Sequence, residues 1–305
     1  MSFAMQEQLL FDLLFDRDLR ERFGKSPMMA LAGYDLDESE RQDFAVIRHD
    51  ALELDATMRV GLVLSQFCRA FPLTFSIVSS LDGGLGLLRS LIDTRTMRMP
   101  PLERMTTFGI RLKEKLSGMD AGSVREKALA ISILEAELGM AWTGAALKSE
   151  VLKGNAVLPG QVALAPDWLT RSVGLAPFVS AAIIPDSYQH LKTALCPHMG
   201  AELWRHLNRT PLTQAQRQQV LQLNNPRILV ARAEVCHVSR CEPTVEHRTV
   251  ELSEGFAPLL QHVDGAGSVS DILMQLGVAG APESLMAGVQ AGFRQLLDNG
   301  MLTQG

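Results

Sequence analysis

Leu252-Ser-Glu-Gly-Phe-Ala-Pro-Leu-Leu-Gln-His-Val-Asp-Gly265, Ser268-Val-Ser-Asp-Ile-Leu-Met-Gln-Leu276, and the run Ser284 to Asn299 closed by Gly300-Met-Leu302 decide the fold. Each block spaces its apolar residues for one short amphipathic helix. In the last, Met286, Val289, Phe293 and Leu296 fall at intervals of three, four and three, which puts them on one stripe. Two strand-like runs precede the helices, Ile228–Val238 and Thr244–Leu252. In the second, strict alternation puts Val245, His247, Thr249 and Glu251 on one face and Glu246, Arg248 and Val250 on the other.

Strands followed by three compact helices predict a winged-helix-like module over 226–305. The rest reads as a helical N-terminal region over 1–70 and a mostly helical middle domain over 71–225, with irregular short strands at 153–185. The expected class is mainly α, α+β overall, with a small antiparallel sheet. Asn224-Asn-Pro226 marks the last boundary. Upstream, Leu9, Leu10, Leu13, Leu14 and Leu19 are helically spaced, and Asp37 with Glu40 predicts a capping box. Trp142, near the end of a long helix from Val124, is expected to plug a core.

The chain has 305 residues, 47% hydrophobic and 21% charged, with a net charge of −5. Such a balance fits a globular protein of two or three domains and offers no general attraction to nucleic acid or anionic lipid. The longest apolar run, Leu175 to Ile184, is too short to span a bilayer. The start has no basic n-region, and the four cysteines, Cys68, Cys196, Cys236 and Cys241, are widely scattered. The expected setting is cytoplasmic with reduced thiols.

The search for chemistry is thin. Gly83-Gly84 and Gly86 lack the Gly-Lys-Ser/Thr that a phosphate loop needs and read as a helix break. Cys236, Cys241 and His247 form the tightest heteroatom cluster, but the spacing matches no closed zinc site. His190, His198 and His206 recur every eight residues, which would not bring them together on an unbroken helix. No catalytic residue and no metal ligand are assigned.

What the closing module binds follows from charge. From Arg227 onward there are five Arg and no Lys against nine acids, a net charge of −4. Phosphate neutralisation supplies most nonspecific affinity for DNA, so a duplex is a poor partner. A sheet edge that accepts an added peptide strand fits better. The candidate peptide-binding residues are Val245, His247, Thr249, Val250 and Glu251 on the edge, and Met286, Val289, Gln290, Phe293 and Arg294 on the helical wall.

The blocks Leu259-Leu-Gln-His-Val-Asp-Gly265, Ser268-Val-Ser-Asp-Ile272 and Phe293-Arg-Gln-Leu-Leu-Asp-Asn-Gly-Met-Leu302 resemble the PqqD-like RiPP recognition element. That resemblance implies that the leader of a ribosomally made precursor adds to the third strand and packs on the third helix. The N-terminal half, with Leu13-Leu-Phe-Asp-Arg-Asp-Leu-Arg-Glu-Arg-Phe23 and the apolar 60–92 segment, resembles partner subunits of multinuclear non-haem iron oxidative enzymes. The TglI-like family of 3-thiaglutamate biosynthesis is nearest in layout, and the MbnC family of methanobactin biosynthesis is more distant. This implies a non-catalytic subunit in a hetero-oligomer, with the iron in a separate TIM-barrel enzyme that excises the β-carbon of a C-terminal Cys. The 60–92 and 153–185 segments are then expected at the enzyme interface. Two other readings stay open: a winged-helix transcription regulator, and a self-sufficient metal enzyme using Cys236, Cys241 and His247.

Overall fold

The computed structural model describes residues 3–119, 123–155, 164, 166–198, 200–210, 212–223, 225–238 and 243–305. Internal contacts divide the chain into two compact units, Met1–Gly122 with His198–Leu212, and Ser123–Pro197 with Thr213–Gly305. The class is mainly α with small antiparallel sheets, as the sequence predicts.

The first unit is helical: α1 (Phe3–Phe15), α2 (Arg17–Lys25), α3 (Pro27–Leu31), α4 (Glu38–Ala45), α5 (His49–Ala70), α6 (Pro72–Ser80), α7 (Gly84–Ser90), α8 (Thr94–Met97) and α9 (Pro101–Gly118), joined by the later α12 (Gly200–Arg209). Short polar residues set the starts. The Asp16 carboxylate accepts from Leu19 N, and Asp37 with Glu40 closes a full capping box. Leu9, Leu13, Leu19, Phe23, Leu31 and Ala56 form one core. A second centres on Phe108, with the rings of Phe67, Phe71 and Phe75 at 4.8, 6.1 and 5.9 Å. Trp204 meets Phe75 edge-on at 5.7 Å.

That aromatic cluster straddles residue 70, so the boundary expected there falls inside a core. Pro72 at the start of α6 accompanies a 119° bend from α5, because proline cannot continue the preceding helix. Every residue from Pro72 to Ser79 is buried. Of the large apolar side chains in the 60–92 segment, only Leu62 is strongly exposed, at 64%. The segment expected to meet a partner is therefore mostly core. A Cβ on Gly84 would fall on the Val78 carbonyl oxygen, so the glycines serve a tight helix junction. No single helix among the described residues is long and apolar enough to cross a membrane.

The second unit contains α10 (Val124–Leu152), β1 (Ser172–Leu175), β2 (Val179–Ile184), α11 (Tyr188–Leu195), α13 (Gln214–Leu221), β3 (Arg227–Val238), β4 (Pro243–Ser253), α14 (Ala257–Gln261), β5 (Asp264–Ser268), α15 (Val269–Gln275), α16 (Glu283–Asp298) and β6 (Leu302–Gln304). One antiparallel sheet has the order β2-β3-β4 and the other β5-β1-β6. Because β2 pairs with β3 from Val179↔Arg232 to Ile184↔Arg227, the division expected at 225 is bridged by a sheet. The short strands β1 and β2 fall inside the 153–185 stretch where the sequence predicts irregular short strands.

Both faces of the β2-β3-β4 sheet are covered. On one, Ala136 and Met140 of α10 pack on Ile184, Leu229 and Ala231. On the other, Ile228, Val230, Val250 and Leu252 join Phe256, Leu259, Ile272, Phe293 and Leu296 in the core of the C-terminal helices. Fully burying a side chain such as Phe293 contributes roughly 1.5–3 kcal/mol. Trp142 does not fill a core: it is 64% exposed on α10, turned away from the packed Ala136–Met140 stripe.

Candidate functional site

Strands β3 and β4 form the longest strand pair among the described residues. Their ladder runs from Arg227↔Ser253 to Val238↔Pro243, with a bulge between Val235 and His237. On its other side β4 pairs with no strand among the described residues. A long strand with one unpaired row of N–H and C=O groups is a template for an added strand.

Alternation along β4 separates the expected site residues. His247 and Val245 point to α10: a Cβ on Gly144 would stand 3.3 Å from His247 Cε1 and 3.7 Å from Val245 Cγ1. The His247 Nε2 lies 3.5 Å from the Thr143 hydroxyl. Glu251, on the same face, accepts from Tyr188 N at 2.8 Å and so holds the start of α11. Thr249 shares this alternation and is exposed. Val250 faces the opposite way and is 3% exposed in the core beneath α16.

On α16, Val289 and Phe293 are core, with Phe293 against Phe256 at a ring separation of 5.1 Å. Met286 is half-buried against the same core. Gln290 is half-buried, and Arg294 is exposed with Asp298 at 3.7 Å. Thus Val245, His247, Thr249 and Glu251 do not line a cleft with α16, as the sequence grouping had them; pleating turns them to α10. On the α16 side of β4, Glu246 and Arg248 accompany the buried Val250 and Leu252, and the sequence search left these two charged residues out of the site. Their signal was a cross-strand charge pattern: Arg248 pairs with Glu234 of β3 at 3.2 Å.

The suggested thiol and imidazole cluster is only partly visible, since Cys241 lies outside the described residues. Cys236 is exposed beside the bulge. Local desolvation, and then the Glu246 carboxylate, push its thiol pKa up, away from the thiolate. Burial lowers the pKa of His247. No group of three or more His, Cys, Asp or Glu side chains gathers as a metal shell among the described residues. His198 and His206 do meet, with rings 4.7 Å apart, because the chain breaks between α11 and α12, around Pro197, and the spacing of an unbroken helix does not apply. His190 instead approaches Asp186 at 3.4 Å. Deeper in the unit, Tyr188 donates to the fully buried Glu137 at 3.2 Å. Burial and that carboxylate raise the phenol far above its ordinary pKa.

No family model, no curated protein and no solved structure matches this chain.

Proposed function

We propose that the chain is a non-catalytic peptide-docking subunit whose β4 edge takes up the leader of a ribosomally made precursor as an added strand. The observation that carries this reading is the open edge of β4, 11 residues long, beside α16. A three-stranded antiparallel sheet whose last two strands, β3 and β4, lead into α14, α15 and α16 supports a winged-helix-like, PqqD-type recognition module. The acidic balance of 227–305 and its lack of lysine weigh against a DNA-binding role for the same layout.

In this reading the iron belongs to a separate TIM-barrel partner, and this chain contributes affinity. Holding the leader raises the effective concentration of the reacting end at the partner's site without altering the chemistry. A 3-thiaglutamate-type excision of the β-carbon of a C-terminal Cys is the reaction this complex would serve, in the cytoplasm.

The test is co-expression with a multinuclear TIM-barrel iron enzyme, followed by assay on a precursor peptide that ends in Cys. Turnover that needs both proteins and is lost when the leader is deleted is the expected result. Turnover by the iron enzyme alone, equally fast on a leaderless peptide, would refute the subunit role.

A further inference from the structure

Arg232 sits in mid-β3 on the face that carries Ile228 and Val230 into the core, and it is only 7% exposed. A cation at that depth is costly unless acceptors or an anion receive it. Its Nη1 donates to the Gly300 carbonyl at 2.7 Å. Its Nε is buried with no acceptor among the described residues. Directly across the ladder on β4 stands Arg248, and like charges opposite one another destabilise a sheet. Glu234 answers Arg248 at 3.2 Å. The neighbouring carboxylate is therefore engaged, and among the described residues no carboxylate pairs with Arg232, one strand from the open edge.

We infer that Arg232, with Arg248, receives a carboxylate from the docked strand: an Asp or Glu side chain on its α16-facing side. This inference rests on the peptide-docking reading of β4. A strand added to β4 lies two strand spacings from β3, about 10 Å, and arginine and glutamate side chains extended toward each other bridge that gap. A guanidinium fork takes a carboxylate in two parallel hydrogen bonds, which a lysine cannot reproduce. The site also complements the charge around it. With 227–305 at net −4, a generally acidic peptide is repelled, whereas one acid matched to Arg232 fixes the register. Main-chain pairing alone specifies register weakly.

The test follows the arginine Nε–H resonances of the ¹⁵N-labelled full chain during titration with N-acetylglutamate amide and, in parallel, N-acetylglutamine amide. The Arg232 resonance is expected to move saturably with the glutamate compound and to stay in place with the glutamine compound. Arg232→Lys keeps the charge but loses the fork, and it should weaken binding at least about tenfold, read from the backbone amides around Gly300. An Arg232 resonance unmoved by the glutamate compound, or an equal response to both compounds, overturns the carboxylate site.

A second pair of probes separates this site from the docking reading: a short strand-forming peptide with one central Glu, and its Gln twin. Docking along β4 with equal affinity for the twins removes the carboxylate site and leaves strand addition standing. A glutamate-specific response at Arg232 with no peptide effect on β4 amides keeps the site and removes strand addition.

Discussion

His247 of β4 stands over Gly144 of α10, close enough that a Cβ on the glycine would lie 3.3 Å from the imidazole Cε1. Burial lowers the imidazole pKa, against a smaller opposing effect from the Met140 backbone carbonyl. The unfolded chain therefore takes up the proton first. The His247 contribution to stability is complete above the unfolded pKa of about 6.5 and is lost as pH falls below it. Urea midpoints should drop between about pH 7 and 5, and His247→Gln should flatten that slope. An identical slope in the variant would mean that other groups set the acid response.

Two glycines on α16 should behave oppositely. A Cβ on Gly292 would stand 2.5 Å from Phe256 Cε2, within the Phe256–Phe293 pair. Gly292→Ala should cost about 1–3 kcal/mol by overpacking. Gly288 has nothing within 4 Å of the same position, so Gly288→Ala should be neutral or stabilise by up to about 1 kcal/mol. Denaturant midpoints of the two variants check the order; reversed signs would place α16 on a different face.

The tryptophans give a similar contrast. Trp204 is 4% exposed beside Phe75, whereas Trp142 is 64% exposed. Trp204→Ala should cost about 3–5 kcal/mol, and Trp142→Ala should change stability by less than about 0.5 kcal/mol. Acrylamide should quench the Trp142 emission readily, and a Trp142 shielded from quencher would contradict its place on the outer face of α10.

The helices of the closing module, the β3–β4 hairpin, the Asp37 capping box and the Pro72 bend were legible because each rests on local signals: apolar period, alternation, a cap pair, a missing N–H. What could not be read depended on contacts distant in sequence. Nothing near Val179–Ile184 announces its pairing with Arg227–Arg232, some fifty residues on, so the boundary at 225 looked clean. Trp142 reads as core by residue type, but its face is decided by where Ala136 and Met140 pack. Alternation separated Val245 and His247 from Val250 correctly, yet which set faced α16 depended on tertiary packing. Arg232 drew no notice because an arginine inside a strand acquires meaning only once its burial and its unanswered Nε are known.

The central claim, that the β4 edge accepts a peptide strand, is tested most directly by backbone amide hydrogen exchange of the full chain with and without the leader of a Cys-terminated precursor peptide. Slowed exchange concentrated on Thr244–Glu251, with lesser protection on Met286–Arg294, is the predicted result. Saturating leader with unchanged exchange along β4, or protection confined to helices of the first unit, would contradict it.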